Sequence, residues 1–173
     1  MTKNIKIILT VIIILILVST IGLYLNKDNI EVNRELNEYA VFLILVEGEK
    51  VASFTMTEIQ ELEEETFTAT LDTSSTDPKK YNYTGVLLKD IFHKAEVDLE
   101  DKKIVAVTGA DSYTVGLSID KLLEDDNVYL TYKREGLALG TREDGGSGPY
   151  QLIIRKDQFS QNWCKYAVKA DIR

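Results

Sequence analysis

From Ile7 to Leu25 the chain runs nineteen residues, IILTVIIILILVSTIGLYL, without a charge. At about 1.5 Å per residue a helix of that length spans roughly 28 Å, close to the hydrocarbon thickness of a bilayer. Lys3 and Lys6 precede the run, and the excess of basic residues on that side predicts a cytoplasmic N-terminus. Tyr24 stands at the far end, where an interfacial aromatic is favoured. A cleaved signal peptide would have a shorter apolar core followed by small residues. Val18-Ser19-Thr20 is a poor match to that, and no cysteine follows the run to accept a lipid. The expectation is an uncleaved single-pass signal-anchor. Residues 1–6 would be cytoplasmic, 7–25 transmembrane, 26–39 a polar tether, and 40–173 one extracytoplasmic domain at the cell membrane.

Charge and rare residues narrow the function of that domain. Eighteen of the 20 basic residues lie beyond the run together with all 28 acidic ones, leaving this part at −10. So acidic a surface lacks the basic stripe that nucleic acid requires, and it does not lie flat on anionic lipid. No nucleic-acid partner is expected. Cys164 is the single cysteine and His93 the single histidine. Intrachain disulfides, multi-cysteine zinc or iron–sulfur sites and paired-imidazole catalysis are therefore excluded.

Along the domain, Ala40–Val46 and Val51–Phe54 read as strands joined at Glu47-Gly48-Glu49. Thr57-Glu58-Ile59-Gln60 reads as a capping box opening a short helix. Phe67–Leu71 alternates like a strand, and Asp72–Lys80, with Pro78, reads as a loop. Val86–Ala95 is predicted helical, with Leu87, Leu88, Ile91 and Phe92 on one face. Strands follow at Ile104–Thr108, Tyr113–Leu117, Val128–Tyr132, Tyr150–Ile154 and Tyr166–Ile172. A helix is predicted at Asp120–Leu123 and an open loop at Thr141–Gly148. Short strands with three short helices make an α+β domain.

Several phrases stand in a recognisable order: Tyr83-Thr84-Gly85-Val86-Leu87-Leu88-Lys89-Asp90, then Val107-Thr108-Gly109-Ala110-Asp111-Ser112-Tyr113-Thr114-Val115, then Leu130-Thr131-Tyr132. Gly148-Pro149-Tyr150-Gln151-Leu152-Ile153-Ile154 and Trp163-Cys164-Lys165-Tyr166 complete the set. From Val41 onward the chain resembles the molybdopterin-binding catalytic domain of the sulfite oxidase family, in its compact bacterial single-domain form. The resemblance implies that fold, with Tyr113, Gly148, Trp163 and Lys165 as cofactor-binding positions. It also implies a molybdenum-ligating cysteine in the stretch Thr68–Ser75, which here reads TATLDTSS and has none. Thr73 and Ser74 offer hydroxyls where a soft thiolate is required.

The other candidate residues have plain structural explanations. Gly145-Gly146-Ser147-Gly148 has the composition of a phosphate cradle, but it opens no helix and lacks the P-loop lysine. Glu63-Glu64-Glu65 reads as a solvated helix end rather than a cation site, His93 as an exposed residue near a helix C-terminus, and Cys164 as a small apolar side chain. The reading favoured is a non-catalytic module of molybdopterin-oxidoreductase type. It would bind an unidentified small ligand or a membrane or envelope protein, with no catalytic residue, no metal and no cofactor expected. The alternatives are a molybdopterin oxidoreductase passing electrons to a membrane partner, and a structural envelope protein.

Overall fold

The computed structural model describes residues 3–25, 40–74 and 76–173. The chain divides into two units, one holding the first helix and the other everything from Ala40 to Arg173. Helix α1 covers Lys3–Leu25. Its described side chains are those of Ile5, Ile8, Leu9 and residues 11–21, all of them exposed. Among the described residues no helix is long and apolar enough to cross a membrane. The tether expected at 26–39 lies outside the described residues.

The second unit begins with a hairpin, β1 (Val41–Val46) and β2 (Glu49–Thr55). The turn uses Glu47 and Gly48 at φ 52° and 89°, a region that glycine enters without cost. Helix α2 (Met56–Gln60) follows. Its capping box is formed by Thr55 and Glu58, two residues ahead of the expected one. Thr57 lies inside the helix, where its hydroxyl has no orphan amide to satisfy.

Strands β3 (Glu65–Thr73) and β4 (Thr76–Leu87) form a long hairpin. The loop expected at Asp72–Lys80 is thus mostly strand. Pro78 is tolerated because β4 gains its second partner, β7, only from Tyr83 onward. Helix α3 (Leu88–Lys94) starts two residues later than predicted, because Val86 and Leu87 still pair with β7. Leu88, Ile91 and Phe92 are buried as expected, and Leu87 is half-buried in the strand. β5 (Ile104–Gly109), β6 (Thr114–Ser118) and α4 (Ile119–Leu123) come next. They are followed by β7 (Val128–Arg134), the two-residue β8 (Leu137–Ala138) and β9 (Gln151–Ile154). A 3-10 turn (Ser160–Asn162) and β10 (Ala167–Ile172) end the chain.

One sheet has the order β2-β1-β10-β5-β6, and the other β3-β4-β7-β8 with β9 also on β7. In the first sheet burial alternates: Phe42 and Ile44, Val105 and Val107, and Val115 and Leu117 all point inward. In the second, β7 and β9 are buried almost throughout, which explains their unbroken apolar runs. One hydrophobic cluster draws on both sheets and on the inner faces of α2, α3 and α4.

Candidate functional site

The segment from Ser160 to Tyr166 gathers the residues that the resemblance singled out. Ser160 is buried at the end of β3, where its hydroxyl accepts from the Asp72 amide at 3.0 Å and donates to the Asp72 carbonyl. The stretch in which a ligating cysteine is implied is therefore pinned to the 3-10 turn. One residue on, the Gln161 carbonyl accepts the Tyr113 hydroxyl at 2.9 Å. Tyr113 itself is 48 % exposed, at the rim rather than in the core.

Trp163 turns inward. It is 5 % exposed, its indole N–H donates to the Ile154 carbonyl at 3.3 Å, and its ring meets Tyr83 edge-on at 5.7 Å. Its faces thus serve the core. Lys165 is exposed, and none of the ion pairs among the described residues includes it. Tyr166, at φ 55°, closes the segment by donating its amide to the Ser147 carbonyl and its hydroxyl to that of Gly146. Gly109 lies directly beneath: a Cβ there would stand 2.6 Å from the Lys165 carbonyl, so no larger residue fits. Tyr113, Trp163 and Lys165 are drawn together in this way, and Gly148 is reached through its neighbour Ser147.

The loop carrying Gly148 is tight and self-satisfied. The amides of Gly145, Gly146, Ser147 and Gly148 donate to the carbonyls of Arg142, Thr141, Leu139 and Gly140. With these N–H groups spent inside the loop, none remains to cradle a phosphate. Glu64 is exposed as expected and Glu65 half-buried, and each is engaged by a tyrosine. Glu64 accepts from the Tyr132 hydroxyl at 2.7 Å and Lys133 at 3.1 Å, and Glu65 from the Tyr129 hydroxyl at 2.9 Å. The Tyr132 bond, followed by the Lys133 charge, holds the Glu64 carboxyl below its ordinary range, while partial burial opposes it.

The donor set does not fit a thiolate-bound metal. Between Thr68 and Ser75 the side chains offer hydroxyls and the Asp72 carboxylate, all hard oxygen donors. Cys164 is fully buried, and burial, assisted by Asp111, pushes its thiol up to about 12. It makes only weak contacts, at 3.6 Å, with the Tyr113 and Lys165 carbonyls. Among the described residues no three His, Cys, Asp or Glu side chains converge. In a thiol-alkylation assay at pH 8 Cys164 should stay unmodified in the folded protein and react once in denaturant; rapid labelling of the native chain would contradict its burial.

Cations also rest against tyrosine rings. Lys79 and Arg134 each lie 5.0 Å from the centroid of the Tyr81 ring, and Arg142 lies 6.0 Å from that of Tyr166. Like Lys165, none of the three joins an ion pair among the described residues. Tyr81 stands edge-on to Tyr83 at 6.3 Å, and the Tyr83 hydroxyl is buried without a hydrogen-bond partner. Burial raises the Tyr83 pKa and the nearby Arg134 charge opposes the rise. Ser160, Tyr83, Arg134 and Arg142 escape a reading of the sequence, because their partners Asp72, Trp163, Tyr81 and Tyr166 lie far along the chain and no local signature marks them.

A family model described as "Oxidoreductase molybdopterin binding domain" matches residues 31–169. No curated protein matches the chain. Among solved structures, the sulfane dehydrogenase SoxCD from Paracoccus pantotrophus is similar, with a TM-score of 0.66 at 20% identity. The similarity covers 79% of this chain and 38% of that one, so this chain spans well under half of that chain's length. At such identity the likeness concerns the fold alone, which is the mixed one of strands and few helices that the resemblance implied. With four fifths of its residues inside the family model, the chain belongs to the oxidoreductase molybdopterin-binding domain family.

Proposed function

We propose that this chain is a membrane-anchored, extracytoplasmic and non-catalytic member of that family, binding a small anionic ligand or an envelope partner at the end of the fold marked by Tyr113, Gly148 and Lys165. The observation that carries the reading is the missing thiolate. The stretch Thr68–Ser75 holds only oxygen donors, and the single cysteine is sequestered elsewhere. Ligand type and outer contacts together set metal affinity and potential, so oxygen donors do not reproduce the chemistry of a thiolate site. The chain purified from a host that makes molybdopterin should contain no stoichiometric molybdenum, by elemental analysis, and should not oxidise sulfite. Near one molybdenum per chain would sink the reading. It would favour instead an oxidoreductase holding its cofactor without a cysteine, a second reading to which Lys165, in no ion pair among the described residues, lends support.

The anchor rests on the uncharged run Ile7–Leu25 and on Lys3 and Lys6 before it. In α1 the described side chains between Val11 and Ile21 are mostly Ile, Leu and Val, and all are exposed, a surface that lipid accommodates and water does not. A reporter fused after Arg173 should be active only outside the cytoplasm, and the protein should stay in the membrane fraction after a high-salt wash. Reporter activity in the cytoplasm would reverse the orientation. A soluble product starting near residue 20 would replace the anchor with a leader.

A further inference from the structure

The sheet order leaves β3 at an edge, paired with β4 alone. Which of its backbone groups face outward follows from the far side of β4. Asn82, the partner of Thr68, gives its amide to the Glu135 carboxylate and its carbonyl to the Glu135 amide, both at 2.7 Å and both away from β3. Opposite residues of an antiparallel pair that does not exchange hydrogen bonds point their backbones apart. The N–H and C=O of Thr68 therefore face the free edge, and by the two-residue period so do those of Thr70. Asp72, two residues further, points the same way, and Ser160 satisfies it. Thr68 and Thr70 have no such cover.

Beside these open groups lies a groove of about 510 Å³ lined by Thr68–Thr70, Lys80, Asp126, Arg155 and Lys156. Three cations face one carboxylate there, on a domain whose net charge is strongly negative. Lys156 is engaged by Glu124 at 2.9 Å and the Asp125 carbonyl at 2.8 Å. Lys80 and Arg155 join no ion pair among the described residues, and the Arg155 guanidinium rests 5.5 Å from the centroid of the Phe67 ring. We propose that the free edge of β3 from Thr68 to Thr70 is a docking strand for an extended acidic peptide segment of a partner protein. The peptide adds a strand to the sheet through the Thr68 and Thr70 backbone groups, and its carboxylates meet Arg155 and Lys80. A second copy of this chain is a poor occupant, because edge-to-edge pairing would bring the cations of one groove against those of the other.

The test uses the full chain in detergent micelles and a fluorescent, terminally blocked heptapeptide of alternating Glu and Val, with a Lys–Val peptide as control. Fluorescence anisotropy should show saturable binding of the acidic peptide only. Arg155→Glu should weaken it about tenfold or more. Thr70→Pro deletes an outward amide while sparing the β4 ladder, and should abolish binding. Absent saturation, equal binding of both peptides, or unchanged affinity in both variants overturns the proposal. Should Thr70→Pro fail to fold, hydrogen exchange on the parent chain decides: the Thr68 and Thr70 amides must slow when the acidic peptide is added, and unchanged rates overturn it. A dimer in sedimentation that protects those same amides without peptide also overturns it.

Discussion

Leu88→Asp should cost the domain most of its stability. Leu88 opens α3 and is fully buried, beside Ile91 and Phe92 in the same cluster. The substitution removes a packed leucine and puts a carboxylate among buried apolar side chains. The two losses together are on the order of 5 kcal/mol, comparable with the whole stability of an ordinary domain. Equilibrium urea unfolding would register this as a collapse of the midpoint or as no folded baseline at all. An unchanged midpoint would mean that α3 turns its other face to the sheet.

The second large effect belongs to Gly85. A Cβ there would overlap the Leu130 carbonyl oxygen and stand 2.6 Å from the Thr131 Cα. Both obstacles are backbone of β7, hydrogen-bonded to β4, and the register already shifts between Thr84 and Gly85. A side chain can rotate away, but a paired strand yields only if the ladder opens. Gly85→Ala should therefore destabilise by about 3 kcal/mol, at the upper end for inserting a single methyl into a packed interior. Denaturant midpoints and loss of amide protection along β4 and β7 would check it. A change below about 0.5 kcal/mol, the scale of a neutral surface substitution, would refute the close approach.

These two positions also mark how far the sequence could be followed. Leu88, Ile91 and Phe92 announce a buried helical face through their spacing alone. Gly85 lies in a quoted phrase, and its position invites the reading of a turn before a helix. Its real constraint is a strand brought against it from more than forty residues away. Strands β5, β6, β7, β9 and β10 were legible for the same local reason, alternation or an unbroken apolar run, whereas the two-residue β8 was not. The Asp72–Lys80 hairpin was not, because Asp, Ser, Thr and Pro are loop residues by preference and tertiary pairing overrode that preference. At the candidate site, the lack of a thiolate could be read directly from the chain. The burial of Trp163 and the exposure of Tyr113 could not, since both depend on where Ser160–Asn162 docks.

The pairing of β1 with β10 fixes when the domain can form. These are its first and last strands, side by side and parallel, with Leu43 beside Lys169 and Val46 beside Ile172. Among the described strands, β10 alone links the β1–β2 hairpin to the β5–β6 hairpin. A nascent chain that has not yet delivered β10 therefore holds two unconnected hairpins in place of a five-stranded sheet. Contacts this distant in sequence carry a large loop-closure cost and form late. That sheet can therefore close only once β10, made more than a hundred residues after β1, has joined the two hairpins.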